Sequence, residues 1–164
     1  PKPWRLVGEH LYVRGQRGIG SPTMASPPGW HDKTADRLRR MTRRRVVVAA
    51  HPGKQACDPG QEAAVSSAIH GAHACIIWSS AAGVRSLVEG IPVFYSAPNW
   101  ICAGAARHGI ERIEEPIMDD ASRRAAFERM AWAQWSVAEI ASGVPFRLLI
   151  ECNFKQRGAE TIAA

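Results

Sequence analysis

What most constrains this chain is a set of continuous β-branched apolar runs, each closed by a turn signal and followed by a helix-forming stretch. Arg45-Val46-Val47-Val48-Ala49-Ala50 ends at His51-Pro52-Gly53, and Ala74-Cys75-Ile76-Ile77-Trp78 ends at Ser79-Ser80. Such runs are buried on both faces, because a strand with one wet face alternates apolar and polar residues. His10–Val13 and Ile91–Tyr95 are further strand candidates, with Pro92 placed as at a strand start or edge. Helix-forming stretches lie between them: Asp32–Arg43, Gln61–Ile69, and a segment opened by Ser79-Ser80 that runs to Glu89 and stops at Gly90. This alternation predicts an α/β, Rossmann-like, mainly parallel sheet with flanking helices and right-handed crossovers. Gly15 to Gly29, rich in Gly, Ser and Pro, reads as a loop. Beyond Tyr95 the pattern weakens. Trp100 to His108 reads as a short helix, and Asp119-Asp120-Ala121-Ser122 as the start of a helix from Ser122 to Ser142 that ends at Gly143. That helix is expected to pack back on the sheet through Phe127, Met130, Trp135 and Ile140.

A length of 164 residues with 46% apolar content fits one compact domain, here 1–150, with a C-terminal tail at 151–164. No apolar run approaches the ~20 residues that span a bilayer, and no charged-then-apolar leader is visible. The chain opens with Pro1 rather than Met, so its start reads as processed or trimmed. Twenty-one Lys and Arg against 15 Asp and Glu give a net charge of +6, a balance that favours polyanions without choosing among them. Cys57, Cys75, Cys102 and Cys152 form no CxxC pair. They read as reduced thiols of a cytoplasmic protein, with Cys75 a small core residue.

In an open parallel sheet, ligands bind beyond the carboxyl ends of the strands. Two candidate sites fall there: His51-Pro52-Gly53, and Ser79-Ser80-Ala81-Ala82-Gly83. The serine hydroxyls can cap the new helix, and its free N–H groups and dipole suit a phosphate. Small residues to Gly83 either let a ligand approach or simply pack helix on sheet. His51 can donate to a phosphate or ribose oxygen and can carry charge near neutral pH; Pro52 holds it in extended backbone.

His51-Pro52 on one strand end and Ser79-Ser80 on the next resemble the nucleotide-binding half of GT-B glycosyltransferases, in particular the capsule polysaccharide synthesis and bacterial sialyltransferase group. The stretch Ser79-Ser80-Ala81-Ala82-Gly83-Val84, through Leu87, Glu89-Gly90-Ile91-Pro92-Val93 and Tyr95, is similar to that group's S-S-x-x-G and A-L-x-x-G-x-P-V pattern. Gln16 and Ser21 look like its loop before the His-Pro strand. The Gln16-to-Trp30 wording also resembles small phage or prophage proteins. The resemblance covers roughly residues 10 to 108. It implies a metal-independent transferase without a cofactor, for which a nucleotide sugar is the substrate. His51 would contact nucleotide phosphate or sugar and is the candidate catalytic residue. Ser79 and Ser80 would bind the phosphates and stabilise the leaving nucleotide, with Gln16, Arg17 and Ser21 on the opposite rim. Arg17 stands out because a guanidinium pairs well with phosphate.

The chain departs from that family in two ways. Little sequence precedes the first strand, and no acidic-acidic-Gly motif supplies a catalytic carboxylate. Ala49-Ala50 replaces the basic residue often seen before His-Pro. The chain is then a fragment, borrows a base from a partner or a second copy, or binds nucleotides without transfer. Asp119, Asp120, Glu114 and Glu115 are possible carboxylates, and equally ordinary surface acids.

The strongest basic cluster runs from Lys33 to Arg45. On one helix, Arg37, Arg40 and Arg44 share a face. That face reads as a solvated exterior or as contact with a nucleic-acid backbone. In a transferase it makes a nucleic-acid acceptor plausible, a hydroxymethylated DNA base for example. Without catalysis it makes the protein a basic nucleic-acid binder on the same scaffold. His70 and His73 lack the convergent ligands of a metal site, and no G-x-S-x-G elbow marks a serine hydrolase. Trp30 and Trp100 follow Pro-containing loops and can stack on a base or sugar.

Overall fold

A computed structural model describes residues 1–51 and 59–151, the side chains of 59–64 excepted. Pro52, Gly53, Cys57 and 152–164 lie outside the described residues. The chain divides into two compact units, Pro1–Phe127 and Glu128–Ala164.

The first unit is built on five strands: β1 (His10–Arg14), β2 (Arg45–Ala49), β3 (Ala72–Ile77), β4 (Val93–Tyr95) and β5 (Arg107–His108). All four strand pairings are parallel, and the order across the sheet is β2-β1-β3-β4-β5. This is the Rossmann-like α/β architecture that the apolar runs predict. Helices α1 (Trp30–Met41), α2 (Pro59–His70) and α3 (Ala81–Val88) make the crossovers. Thr34, Ala35 and Leu38 recur at helical spacing and are buried, which turns one stripe of α1 to the sheet. Leu11, Val13, Ala74, Ile76 and Phe94 meet that stripe together with Ile110 and Ile113. Each fully buried Leu or Ile stabilises the fold by about 1.5–3 kcal/mol relative to exposure.

Alternate strand residues face the other way. Cys75 is fully buried there, and burial pushes its thiol up to about 12. Cys75 and Cys102 are buried and form no disulfide. The N-terminal segment is tied to the end of α3: Lys2 N–H donates to Val88 O (2.8 Å) and Arg5 N–H to Gly90 O (2.7 Å). Gly90 has φ +74°, and a Cβ there would collide with Pro3 O, so a side chain at this position is excluded twice.

Two segments differ from the sequence reading. Trp100 to His108 holds only a 3-10 turn (Ala103–Ala105), after which Arg107 and His108 pair with Phe94 and Tyr95 as β5. A two-residue edge strand carries no periodicity to read. The helix expected from Ser122 to Ser142 is two: α4 (Asp120–Trp132) and α5 (Val137–Ala141). Asp119 Oδ2 accepts from Ser122 N–H (2.8 Å) at the first start. At the second, Ser136 is extended (ψ 158°) and forms a capping box with Glu139, which satisfies a fresh helix N-terminus. Residues 144–151 are helical. Among the described residues, no helix is long and apolar enough to cross a membrane.

Candidate functional site

The strand order reverses direction between β1 and β3, since the chain moves outward from β1 to β2 and then returns to β3 on the other side. In open parallel sheets the crevice at such a switch point is where ligands bind. Gln16 leaves the carboxyl end of β1, and Ser79 leaves that of β3. The two close on each other: Ser79 N–H donates to Gln16 Oε1 (2.6 Å), and Gln16 Nε2 lies 3.3 Å from Ser79 Oγ. Ser80 turns the other way. Its Oγ accepts from Ala82 N–H (3.2 Å) and caps α3. The paired serines therefore have separate local duties, one held by Gln16 and the other ending a helix.

His51 follows β2, on the far side of β1 from Ser79. With strands about 4.8 Å apart, the β2 and β3 ends are separated by roughly 10 Å, with Gln16 between them. Burial lowers the His51 pKa, and the Arg17 and Arg14 guanidiniums lower it further. The imidazole thus stands in a positive field and is poised as a neutral donor. Arg14 donates to Ala50 O (3.2 Å). Arg17 has no carboxylate partner among the described residues, although it lines a cavity of about 520 Å³ with Gln16, Gly18, Ser26, Gly29 and His31.

The loop from Gly15 to Gly29 forms the outer wall of that cavity. Trp78 Nε1 donates to Met24 O (2.7 Å), and Trp78 meets Trp30 edge-on with centroids 5.8 Å apart. Gly15 lets β1 pass close to its neighbours: a Cβ there would lie 3.2 Å from Ala50 Cα and 3.2 Å from His31 Cγ.

Several nominated residues fall elsewhere. Ser21 does not line the cavity. Its hydroxyl lies 3.2 Å from Thr23 Oγ1, and its carbonyl accepts from Met24 and Ala25 N–H, so it folds the loop's own turn. Gly83 packs helix on sheet instead of admitting a ligand, since a Cβ there would lie 2.5 Å from Ile77 Cδ1 and 2.6 Å from Trp100 Cζ2. Trp100 is accordingly buried, tilted on Tyr95 at 5.6 Å. Pro52 lies outside the described residues. Arg44 does not share a helical face with Arg37 and Arg40, because α1 ends at Met41 and Thr42 is extended. Arg37 pairs with Glu111 (3.0 Å) and Arg44 with Glu114 (3.1 Å). Glu114 also accepts from Thr42 Oγ1 (2.5 Å). Arg40 is exposed and has no carboxylate partner among the described residues. His31 was not anticipated; it sits in a loop-to-helix start with no spacing signal. Among the described residues, no three His, Cys, Asp or Glu side chains are grouped to hold a metal.

No family model matches the chain, and no curated protein matches it significantly. Among solved structures it is loosely similar to KpsC of Thermosulfurimonas dismutans, a beta Kdo 2,7 transferase, at 17% identity and a TM-score of 0.46. The similarity covers 76% of this chain and 46% of that one, so the chain spans about half the length of that transferase.

Proposed function

We propose that this chain is a GT-B-type, nucleotide-binding half that holds the phosphate of a nucleotide sugar at the β1/β3 switch point and takes part in glycosyl transfer. One observation carries the reading. Gln16-held Ser79, Arg17 and His51 come from three adjacent strand ends, and Arg17 has no carboxylate partner among the described residues. The His51-Pro52 and Ser79-Ser80 resemblance supports the same reading independently.

The chemistry follows from charge. As the bond between anomeric carbon and phosphate oxygen breaks, negative charge grows on the leaving nucleotide. Preorganised donors at that place stabilise the transition state more than the ground state. Arg17 supplies a fixed cation, and His51 a donor that becomes a cation when phosphate offsets the arginine field. The α3 N-terminus adds its dipole.

Calorimetric titration of the intact chain with CMP, UDP and GDP tests the proposal. Binding of one of them, weakened by Arg17→Ala, is the expected result. Absence of binding by all three, with the fold intact by circular dichroism, ends it.

A further inference from the structure

A second cavity, about 360 Å³, opens on the same edge of the sheet and is lined by Trp30, Lys33, Arg37, Ser96, His108 and Glu111. We infer that this cavity, with the exposed face of α1 that leads into it, binds a nucleotide of single-stranded nucleic acid. The inference deepens the transferase reading by naming the acceptor class, and it rests on that reading only for the transfer step.

The cavity combines a flat ring with net positive charge. Trp30 is fixed edge-on by Trp78 (5.8 Å, 74°), and His108 by Tyr95 (5.0 Å, 69°). Two immobilised rings flank a space at the lower end of the usual volume for a ligand site, enough for one planar unit. Arg37 is neutralised by Glu111 at 3.0 Å. Lys33 has no carboxylate partner among the described residues, so the surplus charge is its own. Trp30, Lys33 and Arg37 fall at i, i+3 and i+7 of α1 and share one face.

Arg40 extends the track. It is seven residues beyond Lys33, two turns along the same face and roughly 10 Å away. Of the four cations Lys33, Arg37, Arg40 and Arg44, two are balanced by Glu111 and Glu114. Lys33 and Arg40 remain, with stacking rings at the Lys33 end. A cationic track ending in aromatic platforms is how single-stranded nucleic acid is held without sequence preference. A neutral sugar leaves Lys33 unused, and a featureless polyanion leaves the rings unused. Ser96 follows β4, beside the β3 end that carries Ser79. The β4 and β5 ends that line this cavity stand one to three strand spacings, about 5–15 Å, from the switch point between β1 and β3.

The test uses the intact chain and a fluorescein-labelled ten-nucleotide oligothymidylate, followed by anisotropy from 50 to 300 mM salt. An abasic ten-mer, heparin and CMP serve as comparators. Two uncompensated cations predict a log–log salt slope near −1.4, from about 0.7 per phosphate contact on single strands. The abasic strand is expected to bind at least tenfold more weakly. Lys33→Gln and Arg40→Gln should each weaken binding several-fold and reduce the slope by about 0.7; both side chains are exposed, so the fold is kept. Trp30→Phe should retain binding where Trp30→Ala loses it. Equal binding of the abasic strand or of heparin, or no response to Lys33→Gln, overturns the inference. So does displacement of the oligonucleotide by CMP alone, which would make this cavity the donor's base pocket. Oligonucleotide binding without any nucleotide binding would leave this site standing and remove the transferase reading; the converse would remove only this inference.

Discussion

The two groups of basic residues on this chain sit in opposite electrostatic company. At the α1–β5 side, Arg37 and Arg44 each meet a carboxylate from the 111–115 segment, and Arg39 meets Asp36 at 2.7 Å. At the carboxyl edge, the Arg17 and Arg14 guanidiniums lower the His51 pKa, and neither arginine has a carboxylate partner among the described residues. The first arrangement joins α1 to the segment after β5 and spends its charge inside the molecule. The second leaves two guanidiniums uncompensated among the described residues. A count of arginines cannot separate these cases; the partners can.

The largest effect is expected at Arg17. Arg17→Ala should weaken nucleotide-sugar binding by about 10- to 100-fold, the loss of a charge-assisted hydrogen bond worth about 1.5–3 kcal/mol, with the melting temperature unchanged. A drop in stability equal to the drop in affinity would put Arg17 with the structural arginines.

The pH response of the same site is the next largest effect. The His51 pKa is lowered by burial and by Arg17 and Arg14, so the free protein holds the neutral form at pH 7. A bound phosphate diester favours the imidazolium and raises its pKa, so binding takes up a proton. Affinity for a nucleotide sugar, whose phosphates do not titrate in this range, should rise up to about tenfold from pH 8 to pH 6, about one unit of coupling. His51→Gln should flatten the profile. A flat profile in the unaltered protein removes His51 from the site.

Gln16→Ala tests the neutral part of the same site. It removes the acceptor for Ser79 N–H and should cost about 1 kcal/mol of affinity, roughly fivefold, with a comparable effect on stability. Ser79→Ala, which keeps that N–H bond, should cost less.

The smallest effect belongs to the paired set. Thr42 first, and then Arg44, hold the Glu114 carboxyl below its ordinary range. A depressed folded-state pKa stabilises the fold above the unfolded value of about 4.3, and this contribution is lost as pH falls through the depressed value. Glu114→Gln should cost about 0.5 kcal/mol at pH 7, as for an exposed pair. It should also shallow the acid limb of a stability–pH curve and leave nucleotide binding untouched. Altered binding would show that the two groups of cations are not independent.

The parts of the molecule legible in the chain are those whose cause is local. The Val46–Val48 and Ala74–Ile77 runs become β2 and β3; β3 is buried as its run predicts, whereas β2 is an edge strand and only half-buried, because the run marks a strand but not its place in the sheet. Ser80 and Asp119 cap α3 and α4 through bonds to N–H groups two and three residues on. Ser136-x-x-Glu139 is a capping-box signature, a local cue that divides the expected long helix. β5 left no cue, being two residues that exist only because β4 offers them a free edge.

Local sequence specifies the class of fold, the apolar strands and the strand ends that carry His51 and Ser79, since each depends on side chains within a few residues of one another. Tertiary structure alone decided which strand lies between which, and hence that Gln16 reaches Ser79 across 63 positions and that Glu111 and Glu114 silence Arg37 and Arg44 across 74 and 70. Strand order and ion-pair partners are set by how separate elements pack and by which surface charges that packing leaves near each other. No local propensity encodes that choice.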